Sequence, residues 1–222
     1  MDIKNIVLII IGGLNLCLGL YVLLRSWKSY LCWTFFSLTV GASFWSVCLS
    51  LSNILNINSN IALFWSRMSY IGALIITASL FLFGYLFPLE FKIPKKLFYW
   101  SGIPILFIIF LLIWPSFIIQ DLNLKDFGYD AIYNPFGYII FSFVFLFYMA
   151  MGFYFMIKRY IISDGIHRKN LKMVLIGVGI ASIFGTIFDL ILPFGNYWKL
   201  NWLGPYFILI MIFFIARIIF RK

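Results

Sequence analysis

Charge is scarce in this 222-residue chain: 11% of its residues are charged, against 64% hydrophobic and 22% aromatic. No soluble core of this size requires such a composition, so soluble classes are set aside at the outset. Histidine is nearly absent, with His167 alone, and the three cysteines, Cys17, Cys32 and Cys48, show no CxxC or Cys/His spacing. Neither a disulfide framework nor a metal site is expected, and no cofactor is called for. Of seven acids, only Asp189 falls well inside an apolar stretch. An intramembrane aspartyl protease needs two such carboxylates, a zinc protease needs HExxH or an equivalent cluster, and a serine enzyme needs a base at membrane level. The chain is therefore read as no enzyme. The last apolar run, WLGPYFILIMIFFIARIIF, has no lysine for a retinal Schiff base, which argues against an opsin.

What the chain has in abundance is apolar runs long enough to cross about 30 Å of hydrocarbon. Seven spans are expected, at about 5–24, 30–52, 62–87, 98–117, 137–157, 172–192 and 202–220. They define an all-α integral membrane protein, a seven-transmembrane helix bundle forming one domain over 1–222. The first run is not a cleaved signal peptide, because Arg25 and Lys28 follow it and no small-x-small site comes after.

Loop cations resist translocation and so set orientation. With the N-terminus outside, thirteen cations fall in cytoplasmic segments, three (Lys4, Lys125, Lys199) fall outside, and Arg67 lies within a span. The N-out, C-in arrangement follows. It also accounts for the net charge of +10 without nucleic acid as a partner. The lipid bilayer is the expected partner. Trp27 and Trp100 near inner ends, and Trp65, Trp114, Trp198 and Trp202 near outer ends, read as interfacial anchors.

Small residues at four-residue spacing let helix backbones approach. Gly177, Ala181 and Gly185 in the sixth span, Ser69, Ala73 and Thr77 in the third, and Gly12, Gly13 and Gly19 in the first place these three helices in the interior. Asn15 reads as interhelical hydrogen-bonding glue, and Pro104 as a bend in the fourth span.

Arg67 and Asp189 are the two charges well inside apolar runs. Arg67 lies about 8 Å along the third helix and Asp189 about 6 Å from the end of the sixth, both measured from the outer surface. Opposite charges at one depth are expected to face inward and toward each other. Either a static ion pair or snorkelling, or else a site for a small polar ligand, fits this placement. Ser66 and Tyr70 lie within a turn of Arg67, and Thr186 within a turn of Asp189, so Arg67, Asp189, Tyr70, Ser66 and Thr186 form the candidate ligand-binding set. The outer connection 118–136 reads either as a lid folded over the bundle or, by preference, as a solvated loop, its acids being too widely spaced for a calcium loop. The inner connection 158–172, with His167, reads as a second solvated loop.

Four stretches resemble the N-terminal seven-helix sensor region of bacterial histidine kinases, also found ahead of diguanylate cyclases. They are NLCLGLYVLLRSWKS ending at Ser29, ALFWSRMSYIGALIITASLFLFGYLFP at 62–88, HRKNLKMVLIGVGIASIFG at 167–185 and LGPYFILIMIFFIARIIFRK at 203–222. The most telling features are the W-x-R-x-x-Y-x-G-A run (Trp65, Arg67, Tyr70, Gly72, Ala73) and Leu203-Gly204-Pro205. The resemblance implies a sensor in a bacterial cell membrane whose last helix passes a signal to a cytoplasmic or partner output protein, within a two-component type of signal transduction. Because the sequence stops at Lys222, two expectations stand: a separate partner such as a histidine kinase or cyclase receives the signal, or the chain is an orphan or excised sensor; a homodimer is a further association. The rival readings are a small transporter or channel, for which the spans show no convincing internal repeat, and a structural subunit of a membrane complex.

Overall fold

The computed structural model describes residues 2–54, 58–88, 94–125, 128–195 and 197–219. Among these residues, seven helices are long and apolar enough to cross a membrane. They are α1 (Ile3–Arg25), α2 (Tyr30–Ser52), α3 (Ser59–Leu86), α4 (Lys95–Ile113), α5 (Pro135–Ile162), α6 (Gly165–Phe194) and α7 (Gly204–Ile219). Several begin where the sequence supplies a cap. Ser29 Oγ accepts from the Cys32 N–H, Asn58 from Asn60, and Asn134 from Phe136 and Gly137, each satisfying donors that the first helical turn leaves free.

Two helices run well past the expected apolar spans. α5 continues to Ile162 and α6 starts at Gly165, so the expected inner loop 158–172 reduces to Ser163 and Asp164. Apolar length measures only the part of a helix that must sit in hydrocarbon, and the cationic flanks continue the helices beyond it. Gly165, at φ +56°, supplies the left-handed backbone that turns the chain. His167 accordingly lies in the first turn of α6, half-buried, with Nδ1 lacking a partner.

Pairwise packing runs α1 to α2, α2 to α3, α3 to α5, α5 to α6, α6 to α7, and α7 back to α1. Six helices thus close a ring, and α4 lies outside it against α3. The ring is tightest where glycine lets backbones touch. A Cβ on Gly84 would meet the Gly152 carbonyl oxygen at 2.5 Å, and one on Gly72 would meet the Trp45 backbone nitrogen at 2.8 Å. Gly12 and Gly19 are buried against α2, as expected, whereas Gly13 is exposed. The most apolar stretch of α3 is 67% buried and that of α2 is 56%, against 28% for α6. The second helix, not singled out by its small residues, is therefore more interior than the sixth. The reason is local: Gly177 packs on Phe214, but nothing lies within 4 Å of a Cβ on Gly185, which faces open space inside the ring.

The connection after α4 is not a solvated loop. A 3₁₀ turn, Pro115–Phe117, leads into an antiparallel hairpin of β1 (Ile119–Lys125) and β2 (Gly128–Tyr133). Ile118, Ile119, Leu122 and Ala131 are buried in a cluster with Ala62, Leu74, Tyr138 and Phe141. The hairpin lies on the bundle because its inward side chains are apolar, and the Asn134 N–H donates to the Ile118 carbonyl at 2.8 Å, tying its base. Gly137 allows this approach, since a Cβ there would collide with the Phe117 carbonyl. Asp126, Phe127 and Asn196 lie outside the described residues, as do Lys92, Arg221 and Lys222.

Candidate ligand cavity

A cavity of about 100 Å³ opens inside the ring beneath the hairpin, bordered by side chains of α2, α3, α5, α6, α7 and the hairpin. Ser66, Tyr70, Thr186 and Asp189 line it, so four members of the candidate set share one space. Helical spacing brings them there. Ser66, Ser69, Ala73 and Thr77 recur at three- and four-residue intervals along α3, and Ser182, Thr186 and Asp189 do so along α6. Ala73 and Gly185, expected as packing positions, are cavity wall instead.

Arg67 is not part of this wall. Its Nε donates to the Ile119 carbonyl and its Nη2 to the Gln120 carbonyl, each at 3.0 Å. The cause lies in the hairpin. The pairing shifts between Ile119 and Asp121, a bulge that leaves Gln120 outside the ladder, and the guanidinium fork takes the carbonyls there. Arg67 and Asp189 make no ion pair, so the expectation that they face each other is corrected. Equal depth does not fix direction around a helix, and the hairpin supplied acceptors that span-based reasoning did not foresee.

Asp189 sits in a widened, π-type turn, Ile187–Ile191, followed by one α-helical turn, Leu192–Phe194. Pro193 explains the widening. It has no N–H to donate, and its ring would clash with the carbonyl four residues earlier, that of Asp189, so the regular ladder cannot pass. Such turns leave a carbonyl to be satisfied elsewhere. Here the Tyr138 phenol donates to the Leu190 carbonyl at 2.8 Å. The Asp189 carboxylate packs against Gly204, the first residue of α7, and a Cβ there would collide with it. Asp189 Oδ2 is buried without a hydrogen-bond partner.

Above the cavity, the phenols of Tyr70 and Tyr133 share a hydrogen bond of 2.8 Å. The Tyr133 ring packs 4.1 Å from that of Tyr138 and 5.1 Å from that of Trp198. Burial pushes the Tyr133 phenol well above its usual titration range. Trp198 was expected at the lipid boundary, but its ring lines the cavity and its Nε1 is buried without a partner. Trp27, Trp100 and Trp114 are exposed, as anchors require. A second hollow, containing Asp2, Lys4 and Lys199, adjoins the first through Asn53, Tyr129, Trp198 and Asn201. Tyr138, Ser182 and Asn201 were missed in the sequence; of these, Ser182 carried a signal in its spacing to Thr186 and Asp189.

The ring of apolar helices around a largely apolar cavity defines a multi-pass membrane protein. Residues 7–222 match the family described as the N-terminal 7TM region of histidine kinase, and the chain belongs to that family. No curated protein and no solved structure matches it. The quoted third-helix run now has structural reasons: Arg67 holds the hairpin, Tyr70 meets Tyr133, and Gly72 admits the backbone of Trp45.

Proposed function

We propose that the chain is a receptor module that detects a small molecule held in the cavity and passes the signal through α7 to a cytoplasmic or partner output protein. The observation that carries this reading is the apolar-walled cavity lined by Asp189, whose Oδ2, packed against Gly204, has no hydrogen-bond partner. A buried polar atom without a partner is costly, and a ligand that supplies one stabilises whichever arrangement binds it better. Asp189 also touches the first residue of the last helix, which gives occupancy a direct route to α7. The hairpin end is read as the outer face, since Arg25, Lys95, Lys96, Lys158, Arg159, Arg168 and Lys169 cluster toward the opposite end. A bacterial cell membrane, a histidine kinase or cyclase as the output partner, and a homodimer belong to the same reading.

Gly185→Leu fills the cavity from a position with open space around it. A metabolite panel screened by thermal shift on the lipid-reconstituted chain is expected to yield ligands that stabilise the native chain but not this variant. Equal shifts in both would sink the reading. Impermeant thiol labelling of Asn58→Cys from outside, with Ser163→Cys protected, checks the orientation.

A further inference from the structure

We propose that the cavity takes an organic ammonium, a cationic amine carried on an apolar or aromatic body, with Asp189 as its counter-ion. This rests on the ligand-cavity reading and names the ligand class. Among the described residues that line the cavity, Asp189 brings the only formal charge, and none is Lys, Arg or His. Its Oδ2 is buried and receives no hydrogen bond. The cation expected to neutralise it, Arg67, is held by the carbonyls of Ile119 and Gln120. Lys4 and Lys199 lie in the adjoining hollow, where the Lys4 ammonium sits 5.6 Å from the Trp202 ring centroid. The protein therefore supplies an acceptor with negative charge and leaves the matching donor to be brought in.

The rest of the wall suits the same chemistry. Trp45, Tyr70, Tyr129, Phe141, Phe145 and Trp198 present aromatic rings to the space. Aromatic faces attract cations, more strongly once water is excluded, and they also bury an apolar body. Hydroxyls of Ser66, Ser182 and Thr186 offer acceptors for the remaining ammonium hydrogens. An anionic ligand finds the opposite: its charge would meet a carboxylate without an intervening cation. A neutral alcohol finds one hydrogen bond but no charge to balance.

The test uses the full chain in lipid nanodiscs and isothermal titration with three probes of similar size: phenethylamine, phenethyl alcohol and phenylacetate. The expected result is that the amine binds about tenfold or more tighter than the other two, the scale of one charge-assisted contact. Asp189→Asn, nearly isosteric, abolishes that preference, and Gly185→Leu abolishes binding altogether; unliganded thermal unfolding shows that both variants are folded. If the alcohol or the carboxylate binds as well as the amine, and Gly185→Leu still blocks it, the ammonium class is wrong while the cavity reading stands. Amine binding that survives Gly185→Leu lies outside the cavity and overturns the proposal. If none of the three binds, the ammonium proposal falls, while the cavity reading is decided by the metabolite panel.

Discussion

The carboxylate of Asp189 occupies the space that a side chain on Gly204 would need. Gly204 has ordinary helical backbone angles, so alanine would be favoured there on propensity alone. The contact reverses that preference. Gly204→Ala is expected to lower stability by about 1–3 kcal/mol, the usual scale of overpacking. Combining it with Asp189→Ala removes the obstacle, and the pair should be more stable than the single costs added together. Thermal unfolding of the four chains in detergent measures this, and simple additivity would show that something else demands the glycine.

Arg67 holds the hairpin through two backbone carbonyls, a geometry that requires the guanidinium fork. Arg67→Lys keeps the charge but cannot span both acceptors, and one charge-assisted bond is worth about 1.5–3 kcal/mol. Hydrogen exchange should speed up in β1 and β2 while α2 amides keep their protection. Unchanged exchange in the hairpin would mean that its apolar contacts alone hold it.

Tyr70 and Tyr133 share one hydrogen bond, so they should behave as a unit. Tyr70→Phe and Tyr133→Phe are each expected to cost about 1 kcal/mol, and the double variant little more than either single one. A double-mutant cycle by thermal unfolding reads the coupling, and a value near zero would contradict the bond.

Asn15 was expected to tie two helices together. It is wholly buried, and neither its Oδ1 nor its Nδ2 has a hydrogen-bond partner. Asn15→Leu should therefore be neutral or stabilising by about 1 kcal/mol, since a buried polar atom left unpaired costs on that scale. A loss of stability on this substitution, seen by the same unfolding assay, would point to a partner for the amide.

The seven helices were legible because a bilayer imposes a minimum apolar length and little else produces such runs. The common depth of Ser66, Tyr70, Thr186 and Asp189 was legible for a similar reason, since rise along a helix converts sequence position to depth. Direction around the axis was not. Arg67 points to the hairpin because of a bulge at Gln120, and no helical periodicity encodes that. Nor did the apolar runs reveal β1, although Ile119, Leu122 and Ala131 carry the inward face that seats the hairpin. The π-type turn was foreshadowed by Pro193 near the end of the sixth apolar run, since its ring and missing N–H block the regular ladder at Asp189.

The helices differ in length in a way that bears on the surrounding lipid. α3 and α5 have 28 residues each, about 42 Å of helix, whereas the 19 residues of α4 give about 28 Å. α4 is also the peripheral helix, with most of its surface outside the ring. A thicker bilayer therefore strains α4 before α3 and α5, by thinning the lipid around it or drawing in its ends. One peripheral helix is thus matched to membrane thickness, and two long ring helices are largely indifferent to it.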